Sequence, residues 1–409
     1  MRIAMITDYY LPTLGGVQTA IKSAKESLIA AGHTVTVFCP LHAPLEDPDV
    51  VGLPTSRSFK PDGFPFAWPP KDLIAFLTTE LARREVDIVH VHAEMFASLA
   101  GIRAAQALDL PVVQTMHGRI DVYTANVLPV PGVTTHLLAH LHHKYLPHTQ
   151  RPADPTAPYM GTASARRMWR LMINQAGAAD LVIVPSAHFA TKLVAQGLTA
   201  PVAVISNSLE DSVLDAVGPA QVRRQPPGEP LKVMWCGRVS PEKRPHVFVR
   251  SIAAAGPGVV ADMYGDGVAM AKTRKLVAKL GVEDRVRLRG SVPQADVLAA
   301  MREHHVFVSS SYDFDNQPMV ILEALATGLP IVLSDPDLAE GLPDGGYLVA
   351  DSPSYRDLAR ALTEIAGSGQ SHAVDTMSAA VVARNHPVAH RAHAQQLLAA
   401  YERVLEATD

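Results

Sequence analysis

The feature that most constrains this chain is a repeated alternation of short apolar runs with helical stretches. Arg2 to Thr7, Thr34 to Cys39, Asp87 to Val91 and Pro111 to Thr115 read as short buried strands, and Val17 to Ala31, closed by Gly32, reads as a helix. Short apolar strands separated by helices belong to parallel sheets covered on both faces. The rhythm breaks between Tyr123 and Ala163, where Pro, Thr and His are frequent. It resumes with a helix over Ala165 to Ala176 and strands at Leu181 to Pro185 and Val202 to Ile205. A polar, proline-containing connection, Glu210 to Pro230, leads to a second set. Its strands are Lys232 to Cys236, Val259 to Tyr264, Val286 to Arg289, Val306 to Ser309, Ile331 to Leu333 and Tyr347 to Val349. The pattern predicts an α/β chain of two Rossmann-like domains, 1–207 and 208–385, with a cleft between them. A last helix, His390 to Glu406 within 386–409, is expected to fold back onto the first domain. Ligands in such folds bind beyond the strand C-terminal ends.

Composition narrows the partners. The net charge is -4 over 409 residues, which lacks the basic excess that phosphate backbones demand and argues against nucleic acid. Cys39 and Cys236 lie far apart in apolar runs and read as buried thiols in a reducing cytosol. The start, Met1-Arg2-Ile3-Ala4-Met5-Ile6, runs straight into a strand pattern and lacks signal-peptide features. No apolar run reaches the roughly 18 residues of a spanning helix. A cytoplasmic location is expected, with contact at the inner membrane face left open.

Three motifs carry chemistry. Gly15-Gly16 precedes the first helix, where free amides and the positive end of the dipole suit a diphosphate; a plain tight turn has the same sequence. In Gly237-Arg238-Val239-Ser240-Pro241-Glu242-Lys243, Arg238 and Lys243 follow a strand. They can hold diphosphate oxygens and stabilise a departing nucleotide, or form a solvated basic turn. In Asp313-Phe314-Asp315-Asn316-Gln317-Pro318, continuing to Glu323, one carboxylate can bind a sugar hydroxyl and the other a ribose diol. The alternative is a helix cap plus a buried Glu.

These motifs occur in order with Tyr264-Gly265-Asp266-Gly267, Arg289-Gly290-Ser291-Val292 and Glu323-Ala324-Leu325-Ala326-Thr327-Gly328-Leu329-Pro330. Together they resemble family 4 of the retaining glycosyltransferases, which have the GT-B fold. The resemblance covers essentially the whole chain. It implies that Gly15 and Gly16 lie at the donor diphosphate, and that Arg238 and Lys243, on the loop opened by Gly237, bind it and stabilise the leaving group. Glu323 would hold the ribose. Asp315, with the loop Asn316, Gln317 and Pro318, would hold the donor sugar, and Gly290, Ser291 and Val292 would frame the base. His117, in Thr115-Met116-His117-Gly118-Arg119, matches a histidine placed near the anomeric carbon. The family more often has Glu where this chain has Asp315, one methylene shorter, and Asn207-Ser208 stands for a common Asn-Gly. The mechanism implied is same-face attack without a metal or other cofactor, the two cations doing a metal's work.

The donor is expected to be a UDP- or GDP-hexose. Asp8-Tyr9-Tyr10-Leu11-Pro12, His92-Ala93-Glu94 and His117 to Thr124 resemble glycolipid-forming members, which implies a glycerolipid or glycolipid acceptor. Thr135 to Leu146, and Arg166 to Met172, can rest on a membrane surface or pack on the first domain. The histidines at 136, 140, 142, 143 and 148 read as a solvated or acceptor-lining surface in preference to zinc ligands. A soluble acceptor, a nucleotide-sugar epimerase and an inactive nucleotide-binding subunit are the competing readings.

Overall fold

The structure is a computed structural model and describes residues 1–9, 15–41, 47–57, 60, 65–367, 373–384 and 390–408. The chain forms two compact units, Met1–Asn207 with His390–Asp409, and Ser208–Ala389. Tyr10, Leu11 and Pro12 of the Asp8 to Pro12 segment named above, with Thr13 and Leu14, lie outside the described residues.

The first unit runs β1 (Arg2–Thr7), α1 (Gly16–Ala30), β2 (Thr34–Cys39), β3 (Val50–Gly52), α2 (Pro70–Arg83), β4 (Ile88–His92), α3 (Phe96–Ala107), β5 (Val112–Thr115), α4 (Ile120–Val127), α5 (Pro131–Tyr145), α6 (Ala163–Ala176), β6 (Leu181–Val184), α7 (Ala187–Ala195) and β7 (Val202–Val204). Its seven strands pair in parallel in the order β3-β2-β1-β4-β5-β6-β7. The second unit runs α8 (Asp211–Val217), β8 (Leu231–Cys236), α9 (Pro245–Ala255), β9 (Val259–Tyr264), α10 (Met270–Leu280), β10 (Val286–Gly290), α11 (Gln294–Glu303), β11 (Val306–Ser309), α12 (Met319–Thr327), β12 (Ile331–Leu333), β13 (Tyr347–Val349), α13 (Tyr355–Gly367) and α14 (Ala373–Ala383). Its six strands are also parallel, in the order β10-β9-β8-β11-β12-β13. The last helix, α15 (His390–Thr408), belongs to the first unit.

The central strands are largely apolar because both faces of each sheet are covered, with polar residues such as His90 and His92 of β4 as exceptions. On one face of the first sheet Ile3 and Met5 pack with Ile21 and Leu28 of α1 and with Leu397 and Tyr401 of α15. On the other, Ala4 and Ile6 pack with Leu73 and Leu77 of α2 and with α3. Helix α15 therefore completes a core begun at the N-terminus.

Two stretches outside the strand-helix rhythm contain ordered helix. The Tyr123 to Ala163 region contains most of α4 and all of α5, the latter opened by Pro131 in its first turn, where a missing N–H costs nothing. The Glu210 to Pro230 connection contains α8 and is packed into the second unit. There Arg223 is buried and donates to the Thr327 carbonyl at 2.7 Å, while its amide donates to Ser378 Oγ at 2.7 Å. Both cysteines are free thiols. Cys39 is buried, whereas Cys236 is only half-buried because it ends its strand.

In each sheet the strand order reverses direction once, between β1 and β4 and between β8 and β11. Loops leaving such neighbouring strands diverge and open a crevice at their C-terminal ends. In the second unit the adjoining loops interlock through glycine. Gly265 adopts φ 120°, and a Cβ there would lie 1.9 Å from the Gly237 carbonyl oxygen. Its amide donates to the Gly290 carbonyl at 2.7 Å, joining the ends of β8, β9 and β10. Gly265→Ala is expected to lower stability by more than about 2 kcal/mol, from strain and overpacking together. Gly281→Ala, at φ 62° with open space around it, is expected to cost about 1 kcal/mol. Urea unfolding midpoints compare the two; equal losses would remove the interlock.

Candidate functional site

In the second unit the switch-point strands β8 and β11 each deliver one half of a charged pair. The loop after β8 carries Arg238 and then Lys243, which closes a short 3-10 turn, Pro241–Lys243. The loop after β11 carries Asp315. Lys243 Nζ donates to Asp315 Oδ1 at 2.6 Å, and both side chains are largely shielded from solvent. Ser310 fixes the same crevice from below: its hydroxyl donates to the Lys243 carbonyl at 2.7 Å and accepts from Trp235 Nε1 at 3.0 Å. Arg238 extends toward solvent and donates to the buried carboxylate of Glu242 at 2.9 Å.

Asp315 makes no capping bond to α12, whose N-cap is Pro318 without a side-chain partner, so the helix-cap alternative for Asp315 does not hold. Asp315 Oδ2 and the neighbouring Asn316 Nδ2 are buried and have no hydrogen-bond partner among the described residues. Adjacent orphaned acceptor and donor atoms cost free energy unless a polar ligand satisfies them. Gln317 and Pro318 are half-buried and lead directly into α12. Glu323, on that helix, is buried and accepts from Gln294 Nε2 at 2.6 Å. Burial raises its carboxyl above the usual range; the Gln294 bond opposes this and the charge of Glu210 adds to it. Cys236, at the end of β8, is held up to about 12 by burial and then by Glu323, with Lys243 acting against them.

Gly290 ends β10 at φ 74°, Ser291 is exposed and Val292 is half-buried, so this short segment presents backbone before α11 begins. Gln294, at the first position of α11, is the partner that sequence reading missed. It lies 29 residues from Glu323 and no spacing rule connects them. Gly237, at φ 153°, opens the β8 loop.

The first unit gathers a second set of groups at its own switch point. Gly15 and Gly16 begin α1 without any capping side chain. His117 follows β5 and meets His92 of β4, with Nε2 and Nδ1 3.0 Å apart and the rings stacked at 5.3 Å. Behind them His90 bonds Tyr401 Oη and Thr115 Oγ1, each at 2.7 Å. Burial, followed by neighbouring imidazoles, lowers His117 to about 4 and His90 to about 3, so both rings are neutral at physiological pH. Ala93, at φ 80°, lies in the left-handed region, an uncommon conformation for a non-glycine residue and one that clusters at functional sites. It sets the next residue, Glu94, in a buried position with Oε1 unpartnered. Burial, then Asp8 and Asp121, push Glu94 up to about 8. Asp8 accepts from the Ala97 amide at 2.8 Å at the start of α3, and burial raises it to about 6.

Two surface readings of the first unit are revised. On α6, Met168, Trp169, Leu171 and Met172 are fully buried, and Arg166, Arg167 and Arg170 donate to the carbonyls of Met160, Gly132 and His148. The helix is core, because its apolar side faces the sheet. His142 and His148 are likewise buried and bonded to each other at 2.9 Å, whereas His136, His140 and His143 are exposed. No group of metal-ligating side chains occurs among the described residues. Nor is any described helix long and apolar enough to cross a membrane.

Comparison with known proteins places this geometry. Residues 14–212 match the model of Glycosyltransferase Family 4, and residues 230–368 match that of Glycosyl transferases group 1. An alpha-monoglucosyldiacylglycerol synthase of Acholeplasma laidlawii is 23% identical over 85% of this chain and 83% of its own. A GDP-mannose-dependent alpha-mannosyltransferase of Mycobacterium tuberculosis is 25% identical over 82% of this chain and 79% of its own. The crystal structure of Anabaena HepE in complex with UDP superposes with a TM-score of 0.69 at 17% identity, over 98% of this chain and all of that one.

The buried Glu94 makes stability depend on pH. Between the ordinary glutamate range and about pH 8 the folded state keeps a proton that the unfolded state has released, so stability falls as pH rises through that window. The lowered histidines act in the opposite sense, and only below about 6.5. From pH 6.5 to 8, Glu94→Gln is expected to flatten the decline, so that its stability relative to wild type rises by about 1–2 kcal/mol across that range. Urea midpoints across that range check this; parallel curves for the two proteins would refute it.

Proposed function

The chain belongs to glycosyltransferase family 4, with two Rossmann-like units of the GT-B fold, and from that membership we propose that it transfers a hexose, with retention of configuration, from a UDP- or GDP-sugar to a membrane glycerolipid or glycolipid. Donor use is common to the glycosyltransferases it matches; the sugar, the stereochemistry and the lipid acceptor are the finer reading. The acceptor class rests on the diacylglycerol named for the Acholeplasma relative and on the His92-Ala93-Glu94 turn.

The observation that carries the donor reading is the Lys243–Asp315 pair across the β8/β11 crevice, beside the orphaned atoms of Asp315 and Asn316. A lysine ammonium has three N–H donors, and Asp315 engages one of them. In this reading the others meet diphosphate oxygens, with Arg238 as the second cation. Asp315 Oδ2 accepts from a sugar hydroxyl and Asn316 Nδ2 donates to another. Glu323, oriented by Gln294, accepts from the ribose diol. As the glycosidic bond of the donor breaks, negative charge grows on the β-phosphate oxygens, and fixed cations stabilise that state more than the ground state. The departing diphosphate takes the proton of the acceptor hydroxyl that attacks from the same face. His117, a neutral imidazole, hydrogen-bonds near the reacting carbon without competing for that proton.

Nucleotide release is expected only when donor and dispersed lipid acceptor are both present, and NMR of the product is expected to show the donor's anomeric configuration. Lys243→Ala should lower turnover at least about a hundredfold, far more than it disturbs folding, although Asp315 loses its ion-pair partner. Full turnover on a soluble polyol without lipid would replace the acceptor class. An unaltered rate in the variant would remove Lys243 from the chemistry.

A further inference from the structure

A buried chain of hydrogen bonds crosses the first unit from α5 and ends on its strained turn. The carbonyl of Ala93, the residue at φ 80°, accepts from two side-chain amides. Gln175 Nε2 of α6 donates at 3.1 Å and Gln114 Nε2 of β5 at 3.4 Å. Both glutamines are fully buried. Behind Gln175 the bonds continue outward. Its Oε1 meets His142 Nε2 of α5 at 2.8 Å, and His142 Nδ1 meets His148 Nε2 at 2.9 Å. The His148 amide donates to Nδ1 of the exposed His143 at 2.8 Å, and Arg170 of α6 donates to the His148 carbonyl at 2.7 Å.

Chemistry sets the direction of this ladder. A carbonyl oxygen only accepts, so Gln175 turns its NH2 to Ala93 and its oxygen to His142. His142 Nε2 therefore carries a hydrogen. Burial lowers His142 to about 4 and His148 to about 3, so both rings are neutral at physiological pH. A neutral ring has one bare nitrogen, so His142 Nδ1 accepts and His148 Nε2 donates. From His148 to Gln175 every donor points toward Ala93. A satisfied buried network of this kind rigidifies what it joins. The neighbours of Gln175 on α6, Met172, Ile173 and Ala176, are apolar core, and an apolar side chain would serve that packing equally well. The ladder ends instead on a left-handed non-glycine residue, which persists only where its surroundings over-determine it. The residue after it is Glu94, buried, with Oε1 unpartnered among the described residues.

We propose that Gln175 is a positioning residue of the first unit: with His142 and His148 behind it, it holds the Ala93 carbonyl and so sets the Glu94 carboxyl where it hydrogen-bonds the acceptor hydroxyl. Gln114 is the second arm of the same grip, from the opposite side of the turn. The proposal rests on the transferase reading for what Glu94 meets; the coupling of Gln175 to Glu94 is a property of the fold and is read without any substrate.

The test is a double-mutant cycle on the full chain, read by urea unfolding from pH 6.5 to 8. The part of the stability decline that Glu94→Gln removes reports the state of the Glu94 carboxyl. Asp8, Asp121 with its partner Arg119, and His92 with His117 stand alike in every variant, so the difference isolates Glu94. In a Gln175→Met background Glu94 is expected to regain hydration and to release its proton about one pH unit lower or more, so that Glu94→Gln removes less of the decline. His148→Leu, at the outer end of the ladder, should act in the same direction more weakly, and it serves where Gln175→Met does not fold. In Gln175→Met, kcat/KM for the acceptor is expected to fall about tenfold or more, with affinity for UDP or GDP unchanged. A Glu94 contribution that is equal with and without Gln175 would overturn the proposal. So would a shifted Glu94 with undiminished kcat/KM for the acceptor. A shifted Glu94 with lost kcat/KM on a soluble acceptor, in a chain that uses no lipid, would support the positioning role and overturn the lipid reading.

Discussion

Lys243 and Asp315 meet at 2.6 Å across the point where the second sheet changes direction. Neither loop sets the pair alone. The loop after β8 is held by the glycine interlock with β9 and β10, and Ser310 at the start of the loop after β11 ties the Lys243 carbonyl and the Trp235 indole to one hydroxyl. A partly buried ion pair is a costly arrangement, since both charges surrender hydration. The pair fixes an ammonium and a carboxylate in one geometry, so a ligand that used them would need less ordering on binding.

The first unit gathers groups of a different kind. Its switch point collects imidazoles and carboxylates that burial drives toward their neutral forms. Fixed charge thus gathers on the second unit and neutral polar groups on the first. The strained backbone at Ala93 fits this division, because a ladder of buried side chains around β4 and β5 over-determines that one residue.

The strands were legible because apolar β-branched runs have no other home than a covered parallel sheet, and Val259 to Tyr264 and Tyr347 to Val349 fall where the pattern puts them. Helices α4 and α5 were not, since their Pro, Thr and His content is a poor helix signature and tertiary packing supplies what propensity lacks. Motif order indicated Arg238, Lys243, Asp315 and Glu323 as candidates. The pairings of Lys243 with Asp315 and of Glu323 with Gln294 were invisible, because they join loops and helices far apart in sequence. The outward stripe of α5 and the inward one of α6 had looked alike, both mixing cations with apolar residues. Only packing against the sheet separates the two.

The central claim is that the Lys243 ammonium, held by Asp315, receives a nucleotide diphosphate. Calorimetry of UDP, GDP and the corresponding nucleosides against the wild-type chain and Lys243→Met tests it most directly. The account predicts that the variant loses at least about tenfold in affinity for the preferred diphosphate while its affinity for the nucleoside is unchanged. Equal affinity of the two proteins for the diphosphate would contradict it.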